Sequence, residues 1–185
     1  MPLDRFADCM REGLLSLPQD LKAILRVIED PDLDDDSRVL ACGAVLHVLS
    51  GQNAIPGVKG ILGYVDDVLV LRLVLERIEK VSPDVLREHR EDSPEVFEPM
   101  QGQMEATRAF LGDLVNKLDR TVDQLPKIAF EGHSARECAR NEEGTTWLYD
   151  SVMEAITERL ELNEDDVARA VKGASDILTH LKLRA

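Results

Sequence analysis

Residues 49–67 read LSGQNAIPGVKGILGYVDD, a loop with four glycines that ends in two adjacent aspartates. Strongly apolar segments flank the loop, residues 37–49 before it and residues 64–81 after it. Both segments are apolar on nearly every helical face in their middle parts, which is typical of helices buried on most sides. Small residues at 41–44 would let a neighbouring helix approach the first segment closely. The sequence therefore predicts a central buried helical hairpin joined by the glycine loop.

The remaining sequence also predicts helices, because apolar residues recur at intervals of three and four, and no useful length alternates with a period of two. One helix is expected over residues 3–15, and Pro18 is expected to begin a second. Polar residues that precede apolar runs are predicted to cap helices: Asp36 or Ser37, Ser134, and Asn163. The predicted fold is all-α, a multi-helix bundle with a buried central helical hairpin and long amphipathic C-terminal helices.

The long helix predicted over residues 94–125 carries a narrow apolar stripe with an interval of seven. Its members are Phe97, Met104, Leu111, Leu118 and Leu125. An antiparallel helix of the same chain or a second copy of the chain could fill this heptad seam, and the first is favoured because suitable helices follow.

Residues 87–93 are fully polar and form the best linker candidate. They divide the chain into a helical domain over residues 1–90, which contains the hairpin, and a helical hairpin or bundle over residues 91–185. We expect the second part to pack on the first as one compact unit.

The formal net charge is -14, from 36 acidic and 22 basic residues. A chain this acidic repels phosphate backbones and anionic lipid surfaces, so no nucleic-acid partner is expected and a membrane partner is disfavoured. The longest apolar run, residues 39–55, falls short of the roughly 20 residues that a bilayer-spanning helix needs. The three cysteines are far apart and the N-terminal residues show no targeting pattern, which predicts the cytoplasm.

Residues 47–57 read HVLSGQNAIPG and residues 63–67 read GYVDD. This pattern resembles the YkvA-like family, a bacterial-type domain of unknown function, whose motif is Tyr-x-x-Ser-Pro-x-Asp-x-Ile-Pro-Asp, then several residues, then Gly-x-x-Asp-Asp. The sequence matches this motif at Ser50, Ile55, Pro56, Gly63, Asp66 and Asp67. It departs from the motif at Gly51, Asn53 and Gly57, and His47 stands where an aromatic residue is usual. The resemblance covers about residues 37–80 and implies no settled biochemical function.

The paired aspartates are expected in the first turn of a buried helix, where free backbone amides favour anions. One of them can fold back on loop amides near residues 53–57 and pin the turn, which makes the motif an architectural clasp. The alternative is a ligand or metal site formed by Gln52, Asn53, Asp66 and Asp67. Two acids of the family motif are neutral here, and fewer charges weaken a cation site. The clasp is therefore favoured, and no metal site, cofactor or catalytic residue is predicted.

The leading functional hypothesis is a non-enzymatic interaction or regulatory protein that acts through an acidic helical surface, because no complete catalytic constellation is visible. Its partner would be another protein, or a second copy bound through the helix of residues 94–125. One alternative is a metal- or small-ligand-binding protein, or an enzyme, that uses the loop ending in Asp66 and Asp67. A further alternative is a peripheral membrane protein that binds through the apolar hairpin.

Overall fold

The computed structural model describes residues 1–183 and is built almost entirely of helices. Residues 184 and 185, the end of the predicted second part, lie outside the described residues. Within residues 1–183 the extended segments are one short antiparallel ribbon, β1 (Ala129–Phe130) and β2 (His133–Ser134). The all-α prediction is therefore confirmed. The α-helices are α1 (Pro2–Glu29), α2 (Asp35–Ser50), α3 (Val65–Val81), α4 (Pro83–Asp92), α5 (Pro94–Leu111), α6 (Val115–Gln124), α7 (Ala135–Arg140), α8 (Glu142–Ala155), α9 (Glu164–Ala170) and α10 (Ser175–Leu183).

The first helix, α1, runs without a break through Pro18, whereas the sequence predicts two helices there. A proline inside a helix removes one hydrogen bond and costs about 3 kcal/mol. The apolar stripe of α1 continues past the proline from Phe6 to Ile28, and it packs against α5. Each large side chain buried along the stripe contributes about 1.5–3 kcal/mol, so tertiary packing outweighs the local cost.

The predicted buried hairpin is present as α2 and α3. Every residue from 41 to 49 and from 65 to 75 is buried. The predicted cap at Asp36 or Ser37 is wrong, because Asp34 Oδ2 accepts the Ser37 amide at 2.9 Å and caps α2. The positive end of α2 then accommodates the other acids of this stretch in its first turn. The apolar hairpin is covered on all sides by the rest of the chain.

The predicted helix over residues 94–125 is divided into α5 and α6 at Gly112, where the backbone has φ 56° and ψ -135°. Glycine tolerates this positive φ and lets the chain turn out of α5. All five members of the heptad seam are buried. The helices that fill the seam are α1, against α5, and α3, against α6, and both precede the seam in the chain. Self-association through residues 94–125 remains a prediction that needs side chains other than the seam.

The polar run 87–93, predicted as a linker, forms the second half of α4 and the residue after it. Its polar side chains attach α4 to the rest of the protein. His89 Nε2 lies 2.8 Å from Asp30 Oδ2, and Arg90 Nη2 donates to Glu79 Oε1 at 2.6 Å. Buried apolar side chains on both sides of this run belong to one continuous cluster.

The C-terminal helices begin at the predicted caps. Ser134 Oγ accepts the Glu137 amide at 3.1 Å at the start of α7. Asn163 Oδ1 accepts the amides of Asp165 and Asp166 at 2.9 and 3.1 Å at the start of α9. These two caps are therefore confirmed.

Among residues 1–183, no helix combines the length and the apolar character that crossing a membrane requires.

Candidate metal centre

Three buried polar side chains meet where α2 ends and α3 begins. His47 lies in the last turn of α2, and Asp66 and Asp67 lie in the first turn of α3. Their exposed fractions are 4%, 1% and 3%. The loop between the helices, with its helical turn Gly60–Tyr64, returns the chain so that the two helix ends come together. The sequence alone does not predict this contact, because His47 and Asp66 are 19 residues apart.

Asp66 is the residue that pins the loop. Its Oδ2 atom accepts the Ala54 backbone amide at 2.8 Å and lies 2.9 Å from His47 Nε2. With the Asn53 amide group oriented to meet acceptors, its nitrogen donates to Gly63 O at 3.0 Å and to Asp66 Oδ1 at 3.3 Å. Both oxygens of Asp66 therefore have partners, and the predicted fold-back of one aspartate onto the loop amides is confirmed.

Asp67 differs from its neighbour. Its Oδ1 atom is buried, has no hydrogen-bond partner, and lies 3.6 Å from His47 Nε2. Burial raises the pKa of Asp67 well above its ordinary value, and the adjacent charge of Asp66 raises it further. The positive charge of Arg159 lowers the pKa of Asp67. The hydrogen bonds of its Nη2 atom go to the backbone carbonyls of Val48 and Leu49, at 3.2 and 3.1 Å, and not to Asp67. The clasp explains Asp66 and leaves Asp67 unexplained.

One nitrogen and two carboxylate oxygens, from His47, Asp66 and Asp67, lie within 4.8 Å of one another. Two ligands bound to one ion at about 2.1 Å are at most about 4.2 Å apart. The distances from His47 Nε2, 2.9 Å to Asp66 Oδ2 and 3.6 Å to Asp67 Oδ1, already lie below this limit. The set has the ligand types of a metal centre, one imidazole and two carboxylates.

A cavity of about 450 Å³ opens beside this cluster. His47 forms part of its lining, and the loop residues Gln52 and Asn53 form one wall. Another part of the lining comes from α6 and includes Lys117 and Arg120. His47, which lies close to both carboxylates, therefore also forms part of the wall of this cavity.

Of the four residues predicted for binding, Asp66 and Asp67 lie in the buried cluster and Asn53 reaches Asp66. Gln52 is exposed and lies on the cavity wall. It is not part of the buried cluster. Sequence reasoning missed His47, which it recorded only as a departure from the aromatic residue that is usual in the family motif. A histidine at this position of the motif is the sequence signal that could have identified His47 as a site residue.

Residues 37–73 match the model of a family described as "Protein of unknown function (DUF1232)". The match is consistent with the resemblance of about residues 37–80 to the YkvA-like family. No curated protein and no solved structure matches the chain. All three members of the buried cluster lie inside the matched segment.

Proposed function

We propose that this protein binds a divalent transition-metal ion through His47, Asp66 and Asp67, and that it works in the cytoplasm. The observation that carries the proposal is the buried Asp67 Oδ1, which has no hydrogen-bond partner. Buried polar atoms are nearly always partnered, and an unpartnered one requires an explanation. A cation between the two carboxylates supplies that explanation, because it would balance the charge of both and bind this oxygen as a ligand.

The mixed ligand set indicates the class of ion. Imidazole suits zinc, iron, nickel and copper, whereas carboxylates suit magnesium, calcium and manganese. A site with one imidazole and two carboxylates is best matched to Mn²⁺, Fe²⁺ or Zn²⁺. His47 would then bind through Nε2 and release its hydrogen bond to Asp66. Asp66 keeps the Ala54 amide as a partner, so the loop stays pinned when the ion is bound.

Direct titration tests the proposal. Protein purified without metal-affinity resin is titrated with Mn²⁺, and the signal of free Mn²⁺ is followed by electron paramagnetic resonance. The wild type should remove about one ion per chain, and Asp67→Asn should bind at least about 10-fold more weakly. Asp8→Asn, which removes the same charge from an exposed site on α1, should bind like the wild type. Equal binding by wild type and Asp67→Asn would contradict the proposal.

A second variant separates the imidazole from the carboxylates. Replacing the ring by an amide in His47→Gln should remove the preference for Zn²⁺ over Mg²⁺, because nitrogen ligands favour zinc. Competition between the two ions on each protein measures this preference. An unchanged preference would exclude His47 as a ligand.

The acidic-surface hypothesis is a second candidate, and Trp147 favours it. The half-buried Trp147 ring stacks on His133 with centroids 4.0 Å apart. The shallow depression beside it is otherwise lined by Glu142, Glu143, Thr146 and Asp150. An aromatic face surrounded by carboxylates fits a protein segment rich in lysine or arginine, through charge complementarity and cation–π contact. Peripheral membrane binding through the hairpin lacks comparable support, because the hairpin is buried.

Fluorescence tests this second candidate, since the sequence has one tryptophan. A lysine- and arginine-rich peptide should shift the Trp147 emission saturably, and the variant Glu142→Gln/Glu143→Gln should weaken the response. Asp4→Asn/Asp8→Asn removes the same charge from α1 and is the matched control. A response equally weak in both double variants would show only non-specific attraction.

A further inference from the structure

A second cavity, of about 260 Å³, is lined by residues of α3, α4 and α5 and by none of the candidate metal ligands. Part of its lining is apolar and comes from side chains that are at most 8% exposed: Leu75, Leu86, Phe97, Met100 and Met104. Glu98 and Gln101 of α5 also line it, and both are exposed. The cavity therefore has an apolar interior and reaches the surface beside α5.

The size and the side chains of this cavity suit a small apolar group. An apolar cavity of about 150 Å³ holds a benzene molecule, whereas drug-sized ligands occupy roughly 300–1,000 Å³. The volume of about 260 Å³ lies between these values and has room for one ring with a short substituent. Met100 and Met104 contribute flexible, polarizable side chains that pack well against aromatic rings. A ring in this space would gain dispersion contacts with its walls.

The charges in the lining are matched, with the exception of Glu98. Each of the buried or half-buried charged residues has a partner of opposite charge at 3.0 Å or less: Arg72 with Asp20, Glu76 with Arg108, and Glu79 with Arg90. Within the described residues 1–183, the carboxylate of Glu98 makes no ion pair and no hydrogen bond. One negative charge at the exposed end of the lining is therefore left for a ligand.

We infer that this cavity binds a small organic amine, with its apolar body among the methionines and its ammonium group paired with Glu98. An ammonium group carries one positive charge and donates up to three hydrogen bonds, whereas a carboxylate only accepts them. An anionic ligand would meet the unmatched charge of Glu98 and be repelled. The site goes beyond the proposed function and needs no metal ion.

Isothermal titration calorimetry in EDTA at neutral pH tests the inference with benzylamine and its uncharged counterpart, benzyl alcohol. The wild type should bind benzylamine at least about 3-fold more tightly, since an exposed ion pair contributes up to about 1 kcal/mol. Glu98→Gln should lose this preference and still bind benzyl alcohol. Glu95→Gln is the matched control, because Glu95 is an exposed acid of α5 that does not line the cavity, and it should keep the preference.

Methyl NMR of the methionines locates the ligand. Benzylamine should shift the signals of Met100 and Met104 and leave that of Met153 in α8 unchanged. Methylamine, which has the charge without the ring, should bind at least about 10-fold more weakly than benzylamine. Shifts confined to other methionines would overturn the location.

The remaining outcomes decide the charge of the ligand and separate this site from the metal proposal. Equal binding of benzylamine and benzyl alcohol by the wild type, or tighter binding of phenylacetate than of benzylamine, would overturn the choice of an amine. Asp67→Asn should bind benzylamine like the wild type, so a failure of the metal proposal leaves the amine site standing. Failure of the amine test leaves the metal proposal untouched in the same way.

Discussion

Arg72 is a charged residue in the middle of α3 with an exposed fraction of 2%. Its Nη2 atom lies 3.0 Å from Asp20 Oδ2 of α1, and its Nε donates to Gln103 Oε1 of α5 at 2.7 Å. One guanidinium therefore ties three helices together. Burial raises the pKa of Asp20 even though Arg72 opposes the rise, which indicates that the ion pair does not fully offset the cost of burying the carboxylate.

Removing one partner of this pair should be far more harmful than removing both. Asp20→Ala leaves Arg72 buried without a counter-charge and should lower the free energy of unfolding by about 3–5 kcal/mol. Asp20→Leu/Arg72→Met replaces the pair by apolar groups and should cost less than Asp20→Ala alone. Urea unfolding of the two variants and of the single variants Asp20→Leu and Arg72→Met measures this. Additive effects in that cycle would show that the pair is not coupled.

Local residue chemistry predicted part of the candidate site. The positions of Asp66 and Asp67 in the first turn of a helix follow from the apolar run behind them. The free amides of the loop predicted that one of the two aspartates would bind a loop amide, but not that it would be Asp66. The contribution of His47 could not be predicted, because it depends on how the loop returns α3 to the end of α2. The unequal partnering of the two aspartates is likewise a property of the folded site.

At the scale of elements, α2 lies very close to the helical turn Leu125–Lys127. A Cβ atom on Gly43 would lie 2.2 Å from the Leu125 carbonyl oxygen. The small residues of α2 were predicted to allow a close neighbour, and this contact confirms it. The neighbour is the turn after α6, which the heptad pattern had placed at the end of one long helix.

Gly43→Ala should therefore destabilise the protein, because the turn or the helix must move to make room for the methyl group. The expected cost is about 1–3 kcal/mol or more, which exceeds the gain of up to about 1 kcal/mol from a better helix former. Gly102→Ala in α5 is the matched control, since nothing lies within 4 Å of its added Cβ, and it should stabilise. Chemical denaturation measures the free energy of unfolding of both variants and of the wild type. Stabilisation by Gly43→Ala would show that the contact is looser than described.

The element boundaries that the sequence missed have tertiary causes. Pro18 normally begins or breaks a helix, but the packing of α1 on α5 carries the helix through it. Gly112 interrupts a heptad pattern that by itself predicts continuity. The polar run 87–93 lacks apolar periodicity, yet its side chains bind neighbouring helices and it becomes helical. Periodicity therefore gave the helical class, and contacts between distant segments set where several helices end.

At the scale of the whole molecule, a clasp and a metal site make opposite demands on stability. A carboxylate kept only for the fold should stabilise the protein. A buried carboxylate that serves as a metal ligand destabilises the protein when the ion is absent. Replacing such a residue commonly increases stability and removes function. Asp67 meets the second description, because it is buried beside Asp66 with one oxygen unpartnered. Asp66 has both roles, because it also accepts the loop amide of Ala54, so its loss should cost stability even without the ion.

Thermal unfolding in EDTA and in Mn²⁺ tests this claim most directly. In EDTA, Asp67→Asn should unfold at the wild-type temperature or a few degrees above it, since 1 kcal/mol corresponds to roughly 2–4 °C for a chain of this size. Asp66→Asn should unfold at a lower temperature because the clasp is weakened. Mn²⁺ should raise the unfolding temperature of the wild type by more than that of Asp67→Asn at the same concentration. A lower unfolding temperature for Asp67→Asn in EDTA, with equal stabilisation of both proteins by Mn²⁺, would contradict the assignment of Asp67 as a metal ligand.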